Sequence, residues 1–235
     1  MTMRICIFEA GLPPDQYIDV FGSYPAMTRT WLSGAFPEAA FSECSVVRGA
    51  ALPDSADAFD GYIITGSKHG VYEDLSWMQA LKDFLLGTRA ARKPVFGICF
   101  GHQIMAAAFG GKVRKSDKGW GIGAQEYSYE QDAGLTTGAS LLFHQDQVET
   151  VPEGARIIGG NDFCPIGALE YDFPALSVQY HPEFGPAYVS ELIRLYGGDR
   201  VPQDVADRAM ASLESSDVDN ARVARRVADF FREHA

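Results

Sequence analysis

The sequence predicts an α/β fold in three layers: an open, mostly parallel sheet with added antiparallel strands, and helices on both faces. Three observations carry this. Short apolar runs alternate with helix-period segments through residue 110, the pattern of a parallel sheet covered on both faces. From Lys112 to Tyr180 the helical period gives way to strand-like segments joined by turns, which add antiparallel strands. From Pro186 onward the chain returns to helix. With 235 residues, 46% of them hydrophobic and 22% charged, the chain is long enough for one generous core. A single domain over residues 1–235 is expected, with 197–235 as a helical C-terminal extension.

Arg4-Ile5-Cys6-Ile7-Phe8 reads as a buried first strand, ending in the turn-rich Ala10-Gly11-Leu12-Pro13-Pro14. A helix is expected from Ala26 to Ser33, closed by Gly34 and Pro37. Glu43–Val47 is the second strand and Asp60–Thr65 the third, ending at Gly66-Ser67. Leu75 to Arg92 repeats apolar residues at Leu75, Met78, Leu81, Phe84, Leu85 and Ala91, close to the helical period, with Asp74 as the cap. Pro94-Val95-Phe96 is the next strand, and Gln103–Phe109 is helical. The strand-like segments that follow are Val113, Trp120–Tyr127, Leu141–Phe143, Val148–Val151, Arg156–Ile158, Ile166–Tyr171 and Leu176–Tyr180. Helices over about Ala187–Tyr196, Pro202–Leu213 and Val218–Glu233 complete the chain. Within the last, Arg222, Arg225 and Arg226 lie among acidic and apolar residues and read as a solvated helix face.

Composition excludes several classes of function. A net charge of −11, from 31 acidic and 20 basic residues, disfavours nucleic-acid binding, which rests on neutralised phosphates. No run approaches the ~18 apolar residues that span a bilayer, and Met1–Ala10 lacks the layout of a secretion signal. A cytoplasmic protein with no membrane partner is expected. The four cysteines, Cys6, Cys44, Cys99 and Cys164, are too scattered for a disulfide framework.

Cys99 is the most informative residue. It sits in Gly97-Ile98-Cys99-Phe100-Gly101-His102-Gln103, between an apolar strand and a helix. A strand followed by Gly-x-Cys-x-Gly and a helix describes a sharp turn that lifts one side chain clear of the sheet. The flanking glycines remove the Cβ atoms that would clash there. The thiol then lies at a helix N-terminus, where the backbone dipole favours thiolate. A buried core cysteine is the ordinary alternative, and the paired glycines argue against it.

A cysteine nucleophile needs a base that takes its proton and later returns it. Of the five histidines, His181 stands out, because it follows the strand Leu176–Tyr180 and precedes Pro182-Glu183. Residues two apart in an extended segment project to the same side, and proline holds His181 extended. Glu183 is thereby placed to orient the imidazole. Both pieces fall at carboxyl ends of strands, where open α/β sheets bind ligands. Gly66, in Ile63-Ile64-Thr65-Gly66-Ser67, sits at another strand end. Its N–H and that of Phe100 would make an oxyanion hole, each donor worth roughly 3 kcal/mol. On spacing alone, a simple turn glycine is the preferred reading of Gly66. Cys99 and His102 have metal-like spacing, but no second pair completes a tetrahedral site, so no metal is expected.

The segments Gly97–Gln103, Gln179-Tyr180-His181-Pro182-Glu183-Phe184 and Ile64-Thr65-Gly66-Ser67 together resemble the class I (triad) glutamine amidotransferases, over about residues 4 to 195. Within that family the chain is similar to free-standing members related to the glutaminase domain of GMP synthase, including the plant γ-glutamyl peptidases. The resemblance implies a flavodoxin-like sheet, with Cys99 as nucleophile, His181 as acid/base and Glu183 as orienting carboxylate. It implies backbone donors at Gly66 and Phe100, and Gln103 against the bound glutamyl group. Phe143-His144-Gln145-Asp146-Gln147-Val148 resembles the family's substrate loop, which places His144, Gln145 and Asp146 at the amino-acid end of the substrate. His144 is expected to brace that loop and His102 to be structural. Lys68 stands where many relatives carry proline, a departure beside the oxyanion donors.

The implied activity is cysteine-dependent hydrolysis of a γ-glutamyl amide through a thioester, without a cofactor. Glutamine would yield glutamate and ammonia, the latter for a possible ammonia-accepting synthetase. No ATP-pyrophosphatase domain is expected on this chain. One alternative is a γ-glutamyl peptidase acting on glutathione-like peptides or γ-glutamyl amines. Another is a chaperone, deglycase or intracellular peptidase of the cysteine-elbow type, disfavoured because Phe100 stands where those relatives carry histidine. The last is a non-catalytic binding or regulatory module with the same fold.

Overall fold

Strands form where the apolar runs lie in this computed structural model, which describes residues 2–234. The first four are β1 (Met3–Phe8), β2 (Ala39–Cys44), β3 (Gly61–Ile64) and β4 (Val95–Ile98). Then come β5 (Lys112–Lys115), β6 (Gly121–Tyr129), β7 (Gly138–His144), β8 (Asp146–Thr150), β9 (Ala155–Gly160), β10 (Ala168–Tyr171) and β11 (Ala175–Val178). The helices are α1 (Asp15–Phe21), α2 (Tyr24–Leu32), α3 (Ser76–Ala90), α4 (Phe100–Ala108), α5 (Pro186–Tyr196), α6 (Gln203–Ser215) and α7 (Asn220–His234).

Nine strands make one sheet in the order β2-β1-β3-β4-β11-β10-β9-β6-β7. Neighbours from β2 to β11 run parallel, and those from β11 to β7 run antiparallel. Strands β3, β4 and β11 are buried at every residue, as central strands covered on both faces must be. On one face Leu32 of α2 and Val223, Val227 and Phe231 of α7 pack on Ile5, Ile7, Ile63 and Phe96. On the other, Met78, Leu81 and Leu85 of α3 and Ile104 and Met105 of α4 pack on Phe8, Tyr62, Ile64 and Val95. A third apolar cluster joins α5 and α6 to β6 and β7. The expected three-layer open sheet is the one observed.

Helix α7 is a full layer of that core. It buries Val223, Ala224, Val227, Ala228, Phe230 and Phe231 along one face. Phe231 stacks on Phe36 with ring centroids 5.9 Å apart and covers Gly61, where an added Cβ would lie 2.6 Å from the ring.

Local departures have physical causes. The second strand lies at Ala39–Cys44 rather than Glu43–Val47, because an edge strand with alternating exposure carries no apolar run, and Val46–Arg48 forms a 3-10 turn instead. Helix α1, anchored by Tyr17 and Phe21 against Tyr188, is absent from the sequence reading because seven residues are too few to display a helical period. Strands β5 and β8 pair only with each other, outside the main sheet. Asp74 does not cap α3: its φ is 53°, Leu75 takes the N-cap position, and the Asp74 carboxylate accepts from Gln79 instead. The arginine cluster on α7 is not simply a solvated face. Arg222 donates to the carbonyls of Thr136, Gly138 and Ala139, and Arg226 to that of Ala133, so only Arg225 fits that description.

Candidate active site

Strands β3, β4 and β11 are neighbours, with Ile64 paired to Gly97 and Ile98 to Val178. Their carboxyl ends deliver Gly66, Cys99 and His181 to one rim of the sheet. The Cys99 N–H donates to the Val178 carbonyl at 2.8 Å, which ties the turn to β11. Cys99 itself sits at the N-cap of α4 with φ 51° and ψ −98°. Such a backbone in a non-glycine residue stores about 1–3 kcal/mol and persists only where its surroundings over-determine it. They do so here, since a Cβ at Gly101 would collide with the carbonyl of Ile64.

The His-Pro-Glu segment is held from three sides. The His181 N–H donates to Leu141 O at 2.8 Å, and its ring lies flat on Phe184, 4.0 Å away and 3° from parallel. The Phe184 carbonyl in turn accepts from Asn220 Nδ2 of α7 at 2.7 Å. His181 Nδ1 is 2.8 Å from Glu183 Oε1, with side-chain exposures of 5% and 0%. A carboxylate only accepts, so Nδ1 is the donor and Nε2 serves the sulfur of Cys99. Burial works against the charged imidazole, yet the Cys99 sulfur and the Glu183 carboxylate outweigh it and raise the His181 pKa to about 10. Gly66 abuts this ring, where an added Cβ would lie 2.6 Å from His181 Cε1. Phe100 begins α4, and the first N–H groups of a helix lack partners within it.

A second set of polar side chains backs the sulfur. Gln179 Nε2 donates to Cys99 Sγ at 3.6 Å, and its Oε1 accepts from Gln103 Nε2 at 3.2 Å. Gln103 Nε2 also donates to the Asp146 carbonyl at 2.9 Å. His144 Nδ1 donates to the same carbonyl at 3.1 Å. Burial holds the His144 pKa down at about 3, leaving the ring neutral with an unpartnered Nε2. The Asp146 carboxylate accepts from Tyr72 Oη at 3.3 Å, and burial raises its pKa. Gln179 is absent from the sequence-derived site. The sequence marks it only as an amide two residues before His181, and its contact with Cys99 arises from the pairing of β4 with β11.

A cleft of about 530 Å³ opens over these groups, walled by Cys99, Gln103, His144, Gln145, Asp146 and His181 among others. Glu183 lies behind the imidazole, and its Oε2 is buried without a hydrogen-bond partner. His102 stands apart. Its Nδ1 meets Ser177 Oγ at 2.8 Å, its Nε2 meets Ile166 O at 3.1 Å, and burial lowers its pKa to about 4, all consistent with a structural role.

The family model described as glutamine amidotransferase class-I matches residues 43–191. Among curated relatives, γ-glutamyl peptidase 5 of Arabidopsis thaliana is 31% identical over 181 residues, 72% of each chain. The glutamine-hydrolysing GMP synthase of Azoarcus is 33% identical over 142 residues, 52% of this chain and 25% of that one. A glutamine amidotransferase of Thermotoga maritima, known from its crystal structure, superposes with a TM-score of 0.73 at 16% identity over 98% of this chain and 99% of that one, a likeness of fold.

Proposed function

The chain belongs to the class-I glutamine amidotransferase family, and from that premise we propose that it hydrolyses a γ-glutamyl amide bond through a thioester on Cys99. One observation carries the reading: a cysteine held at positive φ on a strand-to-helix turn, facing a buried His181–Glu183 pair at the floor of a cleft.

In this mechanism the Cys99 sulfur attacks the γ-carbonyl carbon, forming a C–S bond. The electron pair of the C=O moves to oxygen, and the N–H groups of Gly66 and Phe100 hold that oxyanion. Protonated His181 passes the proton on Nε2 to the amide nitrogen, the C–N bond breaks, and the amine leaves. His181 then takes a proton from water, whose oxygen attacks the thioester carbon. The C–S bond breaks as the carbonyl re-forms, restoring thiolate and imidazolium and releasing the γ-carboxylic acid, which gives its remaining proton to the departed amine or to solvent. Glu183 holds the Nδ1–H tautomer and stabilises the imidazolium throughout. Gln103, His144, Gln145 and Asp146 hold the glutamyl end. No cofactor enters the sequence of steps.

With glutamine the products are glutamate and ammonia, and the ammonia is available to an ammonia-accepting synthetase. A second reading, γ-glutamyl peptidase, has support in the 31% identity to a plant γ-glutamyl peptidase. The chemistry at Cys99 is the same, and only the leaving amine differs.

A diazoketone analogue of glutamine should add one equivalent of label to the protein, mapped by mass spectrometry to Cys99, with turnover of γ-glutamyl substrates lost in parallel. Cys99→Ala should neither label nor turn over. A folded wild-type protein that refuses the label, or a Cys99→Ala variant retaining most activity, overturns the reading in favour of a non-catalytic module or a different nucleophile.

A further inference from the structure

Away from the sulfur, the walls of the cleft divide into two clusters of different chemistry. One mixes signs. Glu73 and Asp146 supply carboxylates, and Lys68 and Lys115 lie within Coulombic reach of them. That combination suits the α-ammonium and α-carboxylate of a glutamyl group. The other is aromatic and cationic. Trp120 meets Phe143 at 5.7 Å, Phe143 meets Tyr196 at 5.9 Å, and the Arg200 guanidinium lies 5.2 Å over the Tyr196 ring. The Trp120 indole N–H donates to the Arg200 carbonyl at 3.1 Å, which fixes the Arg200 backbone and leaves its side chain uncommitted. Among the described residues no ion pair uses Arg200.

This second cluster has nothing to bind if the leaving group is bare ammonia. Ammonia offers the three rings no apolar surface and the guanidinium no anion. The space also continues past it, since Trp120, Gln145 and Arg200 line a second groove of about 820 Å³ beside β6 and α6. Trp120 and Phe143 lie within residues 43–191, whereas Tyr196 and Arg200 lie outside, so the cationic half of this wall comes from the part of the chain that the family model does not match. In a chain of net charge −11, an uncommitted guanidinium at a cleft mouth is a local attractor for an anion.

We propose that Trp120, Phe143, Tyr196 and Arg200 form the leaving-group subsite, and that the preferred substrate is a γ-glutamyl amino acid or peptide whose amine part joins an aromatic side chain to a carboxylate. The rings cover the side chain and Arg200 grips the carboxylate. The inference rests on the γ-glutamyl hydrolase reading for its chemistry, while the subsite can be tested without turnover.

The probes are γ-glutamylphenylalanine and γ-glutamylphenethylamine, which share the ring and differ by the carboxylate. Wild type should favour the first in kcat/KM by about tenfold or more, the range of a charge-assisted hydrogen bond. Arg200→Gln should bring that ratio near one, and Arg200→Lys should restore part of it. Equal kcat/KM in the wild type, or a ratio untouched by Arg200→Gln, overturns the subsite. Calorimetric titration of both probes into Cys99→Ala, with and without Arg200→Gln, decides the matter independently of catalysis. A tenfold loss of γ-glutamylphenylalanine affinity on removing Arg200 upholds the subsite even if no probe is turned over, in which case only the hydrolase reading falls. Affinity indifferent to Arg200, beside Cys99-dependent turnover, sinks the subsite and leaves that reading standing.

Discussion

At the scale of single residues, the site turns on how His181 holds its proton. Its ordinary pKa is about 6.5, and in the fold it is raised to about 10: the pull of Cys99 and Glu183 exceeds the desolvation that opposes it. The sign follows directly. Protonated His181 stabilises the fold fully below pH 6.5, and that contribution is lost as pH rises through 10. The same proton goes to the leaving amine in the proposed mechanism, so activity should fall on the alkaline side as it is lost. Glu183→Gln removes one of the two groups that hold it. The alkaline limb of kcat/KM against pH should move to lower pH in that variant, with a rate reduced less than in Cys99→Ala. An alkaline limb that stays in place would remove Glu183 from its proposed role. Cys99, His181 and Glu183 were legible in the sequence because each belongs to a short contiguous motif with unusual neighbours. Gln179 was not, because its part depends on a contact to Cys99 across 80 residues of chain, which only the pairing of β4 with β11 creates.

Among the elements, α7 carries more than its position at the chain's end suggested. Its amphipathic period was readable, but the surface it covers was not: periodicity says that a face is apolar, not what lies under it. In the fold it roofs the parallel half of the sheet, and through Asn220 it steadies the carbonyl of Phe184, whose ring supports His181. Phe231→Ala would leave a large void between Phe36 and Gly61 and should cost about 3–5 kcal/mol, measured by urea unfolding. A loss below about 1 kcal/mol would mean that α7 is a peripheral addition. Strand β2 shows the converse. Its alternating burial on an edge hid it from a search for apolar runs, whereas the fully buried β3, β4 and β11 were found within a residue or two.

Over the whole molecule, buried neutral histidines set the response to acid. His102 and His144 have pKa values pushed down to about 4 and about 3 by burial. Below pH 6.5 the unfolded chain therefore takes up protons that the fold refuses, and stability falls as pH drops from 6.5 toward 4. The melting temperature should peak near neutral pH and decline steadily through pH 5. A flat profile down to pH 4.5 would contradict the burial of these two rings. The charge of −11 and the two-part layout of strands were visible from composition and pattern alone, whereas the separate β5–β8 pair was not, because its strands read the same whichever sheet they join. Glu38 accepts from the Met3 N–H through its carbonyl and from Arg232 through its carboxylate, so the first strand and the last helix meet at one residue. That meeting point lies by the amino ends of the strands, the rim opposite Cys99. A bulky group attached at Glu38 or Arg232 would thus sit on that underside and leave the mouth of the cleft unobstructed.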